Sequence, residues 1–214
     1  MPDTHCDDSK KYRSSDLLGM FDHGFEQAQK SLVQLLLGQI FFRTQSARLE
    51  DWSAVYKLLL DPHSIAVLQS FNGDYQGVLS LILPKKLWFS KQVPDQKNVL
   101  SLDKIRSDIS DDVLNEASNI VANSVLRSLS LLMIKRFSSG LPQQPSKNLL
   151  ARFFSEKGFE ASRVFVIRVD VRHIAEANSS PEPQQIVLCL HMKSDFVLDN
   201  WYAHLLSIIS ESAI

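Results

Sequence analysis

Residues 112–142, DVLNEASNIVANSVLRSLSLLMIKRFSSGLP, constrain the fold more than any other stretch of the chain. Read as an α-helix, they separate by face. Asp112, Glu116, Asn119, Asn123 and Arg127 share one stripe, because steps of three, four, seven or eleven residues return to nearly the same side. Leu114, Ala117, Val121, Val125 and Leu132 lie opposite and need a core to face. The polar stripe carries a carboxylate and a carboxamide one turn apart, at Glu116 and Asn119.

The rest of the chain supplies elements to complete that core. A helix is expected from Ser15, capped by Ser15 or Asp16, with Leu17, Leu18, Phe21 and Phe25 on one face, stopping at Gly38. Residues 39–49 have β character, and 50–60 with the following Asp-Pro-His-Ser read as a break. Residues 65–71 and 75–83 read as strands around an Asn72-Gly73-Asp74 hairpin turn, and 85–93 as a short helix. Residues 148–156 form a connecting element. Strands are expected at 163–172 and 186–192, a polar loop at 176–185, and a terminal helix at 196–209. This is helix, strands, helix, written twice. Residues 1–14 are polar and aperiodic and are expected as a tail, leaving one domain over 15–214 with pseudo-repeats of about 15–100 and 101–214.

Composition narrows the function. Net charge is −1 without a long basic run, so nothing points to a nucleic-acid groove. The first 30 residues hold no apolar run suited to a signal peptide, and no stretch nears 18 uninterrupted apolar residues; a cytoplasmic protein is expected. Cys6 and Cys189 are too few for a zinc or disulfide framework, and Cys189, within IVLCL, is expected as a buried, inert thiol. His5, Cys6, Asp7 and Asp8 read as a solvated tail, since no other segment offers a matching pair of metal ligands. His191 is expected in the core or at a sheet edge, and Trp88 and Trp201 in the core. Gly-x-Ser-x-Gly and the phosphate-cradling glycine loops are absent.

The spacing in the opening stretch goes further. Asp112, three residues, Glu116, two residues, Asn119, 22 residues, Pro142 resembles the active-site pattern of the CheC/CheX/FliY phosphatases of chemotaxis: Asp or Ser, x3, Glu, x2, Asn, x22, Pro. The resemblance implies an α+β fold of the CheC type. That fold is internally duplicated, with a continuous antiparallel sheet, two long helices packed on it, and a pseudo-two-fold axis. It also implies a phosphatase acting on the aspartyl phosphate of a CheY-like receiver domain. Asn119 would orient the attacking water and Glu116 would pair with the receiver's lysine. Asp112 would organise the helix start and Pro142 the adjoining loop. Mg²⁺ would come bound to the receiver, so no cofactor or metal of its own is expected. The alternative is a non-catalytic adaptor docking a receiver or a CheD deamidase.

Many relatives carry the Glu-x-x-Asn pair twice. Here the first half offers Met20 and His23, or Glu26 and Gln29, with Trp52 in place of the proline, and that site reads as degenerate. The second half departs at Asn123, where the family usually has a glycine. Asn123 adds bulk and two hydrogen-bonding groups beside the site.

Overall fold

The computed structural model describes residues 8–36, 39–85, 102–146, 148–150, 154, 163–174, 183–192 and 194–211. Its elements follow the order α1 (Asp8–Leu36), β1 (Gln39–Asp51), α2 (Trp52–Leu60), β2 (Ser64–Gly73), β3 (Gly77–Pro84), α3 (Leu102–Met133), β4 (Phe137–Ser139), β5 (Arg163–Ile174), β6 (Gln184–Met192) and α4 (Asp195–Glu211).

All six strands join one antiparallel sheet in the order β1-β5-β6-β3-β2-β4. Exchanging β1 with β4, β2 with β5 and β3 with β6 turns that order into its own reverse. The halves are thus related by a pseudo-two-fold axis through the β3/β6 seam, where Gly77–Ile82 pair with Met192–Val187. This is the duplicated α+β architecture expected from the sequence.

Alternation along the strands feeds two cores. On one face Val67, Phe71, Leu79 and Leu81 of the first half join Phe165, Ile167, Leu188 and Leu190 of the second. Over them lie Phe21, Phe25 and Leu32 of α1, Leu114, Val121 and Val125 of α3, and Trp201 of α4. On the other face Ala66, Leu68, Val166 and Cys189 meet Val55 and Leu59 of α2, with Leu150 and Phe154. Cys189 is fully buried, and burial raises its thiol pKa far above the ordinary range. His191 is buried against Trp52 and Phe154, and burial lowers its pKa to about 3, so it is neutral.

Several boundaries differ from the sequence reading. Residues 52–60, read as part of a break, form α2, because Val55 and Leu59 recur at i, i+4 against the sheet's second face. α1 begins at Asp8, ahead of Ser15, so residues 8–14 are helical; residues 1–7, with His5, Cys6 and Asp7, lie outside the described residues. The expected helix at 85–93 beyond Lys85, Trp88, and the loop at 176–182 also lie outside them. Strand β4 was not expected: three residues at an open edge carry no alternation to read. It pairs with the end of β2, from Phe71↔Ser139 to Gly73↔Phe137.

α3 ends in a Schellman turn. The Lys135 N–H donates to the Ser130 carbonyl at 3.1 Å, with Ile134 left-handed at φ 51°. The chain then turns back into β4 beside Gly73, whose φ of 140° is open to glycine alone.

Candidate functional site

The polar stripe of α3 borders a groove of about 480 Å³ between α1 and α3. From α3, Asn119, Asn123 and Arg127 line it; from α1, His23, Gly24 and Gln27. The two helices approach closely at Gly24, where a Cβ would fall 2.1 Å from Ser128 Oγ and 3.3 Å from the Ser124 carbonyl. Glu116 is exposed, one turn before Asn119, which is half-buried.

Asn119 sits in a chain of side-chain hydrogen bonds with a fixed polarity. Gln69, on the helix-facing side of β2, is 2% exposed. Its Nε2 donates to the Gly140 carbonyl at 2.9 Å and to Asn119 Oδ1 at 3.0 Å. Asn123 Nδ2 donates to the same Oδ1 at 2.9 Å, and Ser139 Oγ donates to Asn123 Oδ1 at 2.6 Å. A backbone carbonyl can only accept, so Gly140 forces the Gln69 amide toward itself, and Gln69 in turn forces Asn119 to present oxygen. Both lone pairs of Asn119 Oδ1 are then taken, and its N–H₂ is what it has left to offer.

Residues 140–146 form a strap that carries Pro142. On one side it is stitched to β2: the Gly140 N–H donates to the Ser70 carbonyl, and Leu68 and Gln143 exchange two backbone bonds, each at 2.8 Å. On the other side Gln144 Nε2 reaches α3, donating to Asn115 Oδ1 at 2.9 Å and to the Asp111 carbonyl at 3.4 Å. The strap that carries Pro142 is thereby tied to the helix segment that bears Asp112, Glu116 and Asn119. A proline suits that place, since the strap's backbone donors are used at Gly140 and Gln143 on either side of it.

The expected role of Asp112 does not stand. α3 starts at Leu102, so Asp112 lies ten residues inside the helix and cannot organise its start; it is exposed on the stripe. Of the first-half positions, Met20 packs against the main core. His23 and Glu26, 73% and 67% exposed, sit 3.5 Å apart, and Gln29 is half-buried. Trp52, in the place of the proline, packs on Tyr56 and Phe154 in the second core, so that position forms no strap. No cluster of metal ligands occurs among the described residues. Gln69 was missed from the sequence. Its signal is period two: Ile65, Val67, Gln69 and Phe71 share a face, and a lone carboxamide among apolar neighbours demands a partner.

The six-stranded antiparallel sheet with helices packed on it matches a fold of the CheC/CheX/FliY kind. No protein-family model matches the chain, and no curated protein matches it. Solved structures do. FliY of Thermotoga maritima superposes with a TM-score of 0.60 at 14% identity, covering 92% of this chain and 96% of that one. A chain of the FliM–SpeE complex from H. pylori gives 0.57 at 13% identity, covering 94% and 96%. The FliM middle domain from H. pylori gives 0.51 at 10% identity, covering 94% and 98%. At these identities the likeness is one of fold. No helix among the described residues is long and apolar enough to cross a membrane.

Proposed function

We propose that this chain is a phosphatase of a phosphorylated CheY-like receiver domain, ending a signal in chemotaxis. The observation that supports the reading is Glu116 and Asn119 one turn apart on the polar stripe of α3, next to a strap, carrying Pro142, that Gln144 ties to the helix at Asn115. An acyl phosphate has a stable carboxylate leaving group, so its hydrolysis needs positioning and charge compensation more than acid–base help. Water adds to phosphorus in line, the acyl P–O bond breaks, and aspartate and inorganic phosphate result. Asn119 enters beside the phosphoryl group and orients the water; an uncharged carboxamide does not repel a phosphate. Glu116, exposed one turn before Asn119, pairs with the receiver's lysine. Mg²⁺ arrives on the receiver.

Decay of a phosphorylated receiver, followed with wild-type protein, Asn119→Ala and Glu116→Ala, tests this. Wild type accelerates decay, Asn119→Ala loses turnover by roughly 10²-fold while still docking, and Glu116→Ala weakens docking. Unchanged turnover in Asn119→Ala refutes the assignment.

One observation favours a second reading, an adaptor that docks a receiver or a CheD-type deamidase without turnover. Both acceptor sites of Asn119 are occupied within the protein. An adaptor tolerates Asn119→Ala in every assay of its partner's function.

A further inference from the structure

We infer that Asn123 throttles the reaction by holding Asn119, and that Gln69 is the positioning residue that keeps the Asn119 oxygen, rather than its nitrogen, on the side that Asn123 covers. The inference rests on the phosphatase reading above. A water attacking phosphorus must give a hydrogen to an acceptor so that its lone pair can face the phosphorus. Asn119 Oδ1 is the acceptor one turn from Glu116, yet it already receives Gln69 Nε2 at 3.0 Å and Asn123 Nδ2 at 2.9 Å.

The two donors are not equivalent. Gln69 is buried and pinned by the Gly140 carbonyl, so it holds one lone pair permanently and fixes the polarity of the carboxamide. Asn123 is half-buried, lines the groove, and among the described residues its oxygen is braced by the Ser139 hydroxyl alone. The lone pair that Asn123 covers is therefore the one a water needs. Asn123 must release it before each turnover, and the resting site is closed by one hydrogen bond.

The experiment measures decay of an aspartate-phosphorylated CheY-type receiver against increasing concentrations of wild type, Asn123→Ala, Asn123→Gly and Gln69→Leu. It separates the maximal rate from the half-saturating concentration. Freeing one hydrogen bond's worth of occupancy raises the maximal rate about five-fold in Asn123→Ala, with half-saturation unchanged. Asn123→Gly behaves alike. Gln69→Leu, which fills the same space without donors, lowers the maximal rate and leaves half-saturation unchanged. An effect only on folding would instead move the melting temperature and leave the maximal rate of folded protein alone. Turnover that depends on Asn119 but is not raised by either Asn123 variant overturns the throttle and leaves the phosphatase reading intact. If no protein of the series docks or turns over a receiver, the phosphatase reading fails. Hydrogen exchange of the side-chain amides in the free protein then decides the network alone. The Gln69 N–H₂ exchanges slowly and the Asn119 N–H₂ fast; the reverse order overturns the assigned polarity.

Discussion

Ile134 occupies a conformation that its side chain opposes. Its φ of 51° is left-handed, its β-carbon is branched, and the residue is 91% exposed, so no packing offsets the strain. Glycine is the usual residue at this point of a Schellman turn. Ile134→Gly should therefore stabilise the protein by about 1 kcal/mol, the strain relieved exceeding the added chain entropy of glycine in the unfolded state. A rise in the midpoint of urea unfolding with unchanged slope is the expected result. Gln69 is a buried polar residue whose two donated bonds offset part of its cost, while its Oε1 is buried with no partner among the described residues. Replacing it removes donors from Gly140 and Asn119 at once, and Gln69→Ala should cost about 2 kcal/mol by the same measurement. At this scale the sequence was informative where a motif fixed a spacing, as at Glu116 and Asn119. It was silent where the partner is remote in sequence. Gln69 and Asn119 are 50 residues apart, and nothing in either segment names the other.

Elements were legible in proportion to the apolar area they bury. β2, β3, β5 and β6 carry unbroken or alternating apolar runs and stand close to where the sequence places them. β4, with three edge residues, and the first ten residues of α3, which are mostly polar, left no such trace. β4 nevertheless positions the site, since it delivers Ser139, Gly140 and then the strap. It depends on Gly73, where an added Cβ would lie 2.0 Å from the Arg136 carbonyl oxygen. Backbone must move to admit it, so Gly73→Ala should cost about 2 kcal/mol or more and unpair β4 from β2. Faster amide exchange at Gly140 and Gln143, the strap residues bonded to β2, would report it. At the far edge of the sheet, Arg168 of β5 holds Glu50 of β1 through two bonds, at 3.0 and 2.6 Å. The Arg168 hydrogen bond, opposed by burial, lowers the Glu50 pKa below 4.5. A lowered carboxylate pKa stabilises the fold above the unfolded value, and that contribution is lost as pH falls through the folded one. Glu50→Gln should lower stability at pH 7 by about 1–2 kcal/mol and flatten its fall in acid, read as urea midpoints between pH 7 and pH 3.

The molecule as a whole is two copies of a unit that neither copy can complete. The two-fold exchange of strands places β3 and β6 side by side at the centre, so the seam between the halves is the middle of the sheet. The main core draws Val67, Phe71 and Leu79 from one half and Phe165, Leu188 and Trp201 from the other, with α1 and α3 laid across both. Separating the halves would expose a strand edge and the inner face of both long helices, a loss comparable with the whole stability of a domain. Unfolding should therefore be one cooperative transition, although a chain of 214 residues is long enough for two independent domains. Trp201 is fully buried in the main core, and Trp52 packs on the opposite face against Phe154 and His191. Two variants, each keeping one of these tryptophans as its only one, report the two faces separately. In each, tryptophan fluorescence and far-ultraviolet circular dichroism should give the same urea midpoint and slope. An earlier transition seen by Trp52 alone would mean that α2 and the second core melt as a separate unit. The site on α3 would then rest on the main core by itself, because Gln69, Asn119 and Asn123 all lie on that side of the sheet.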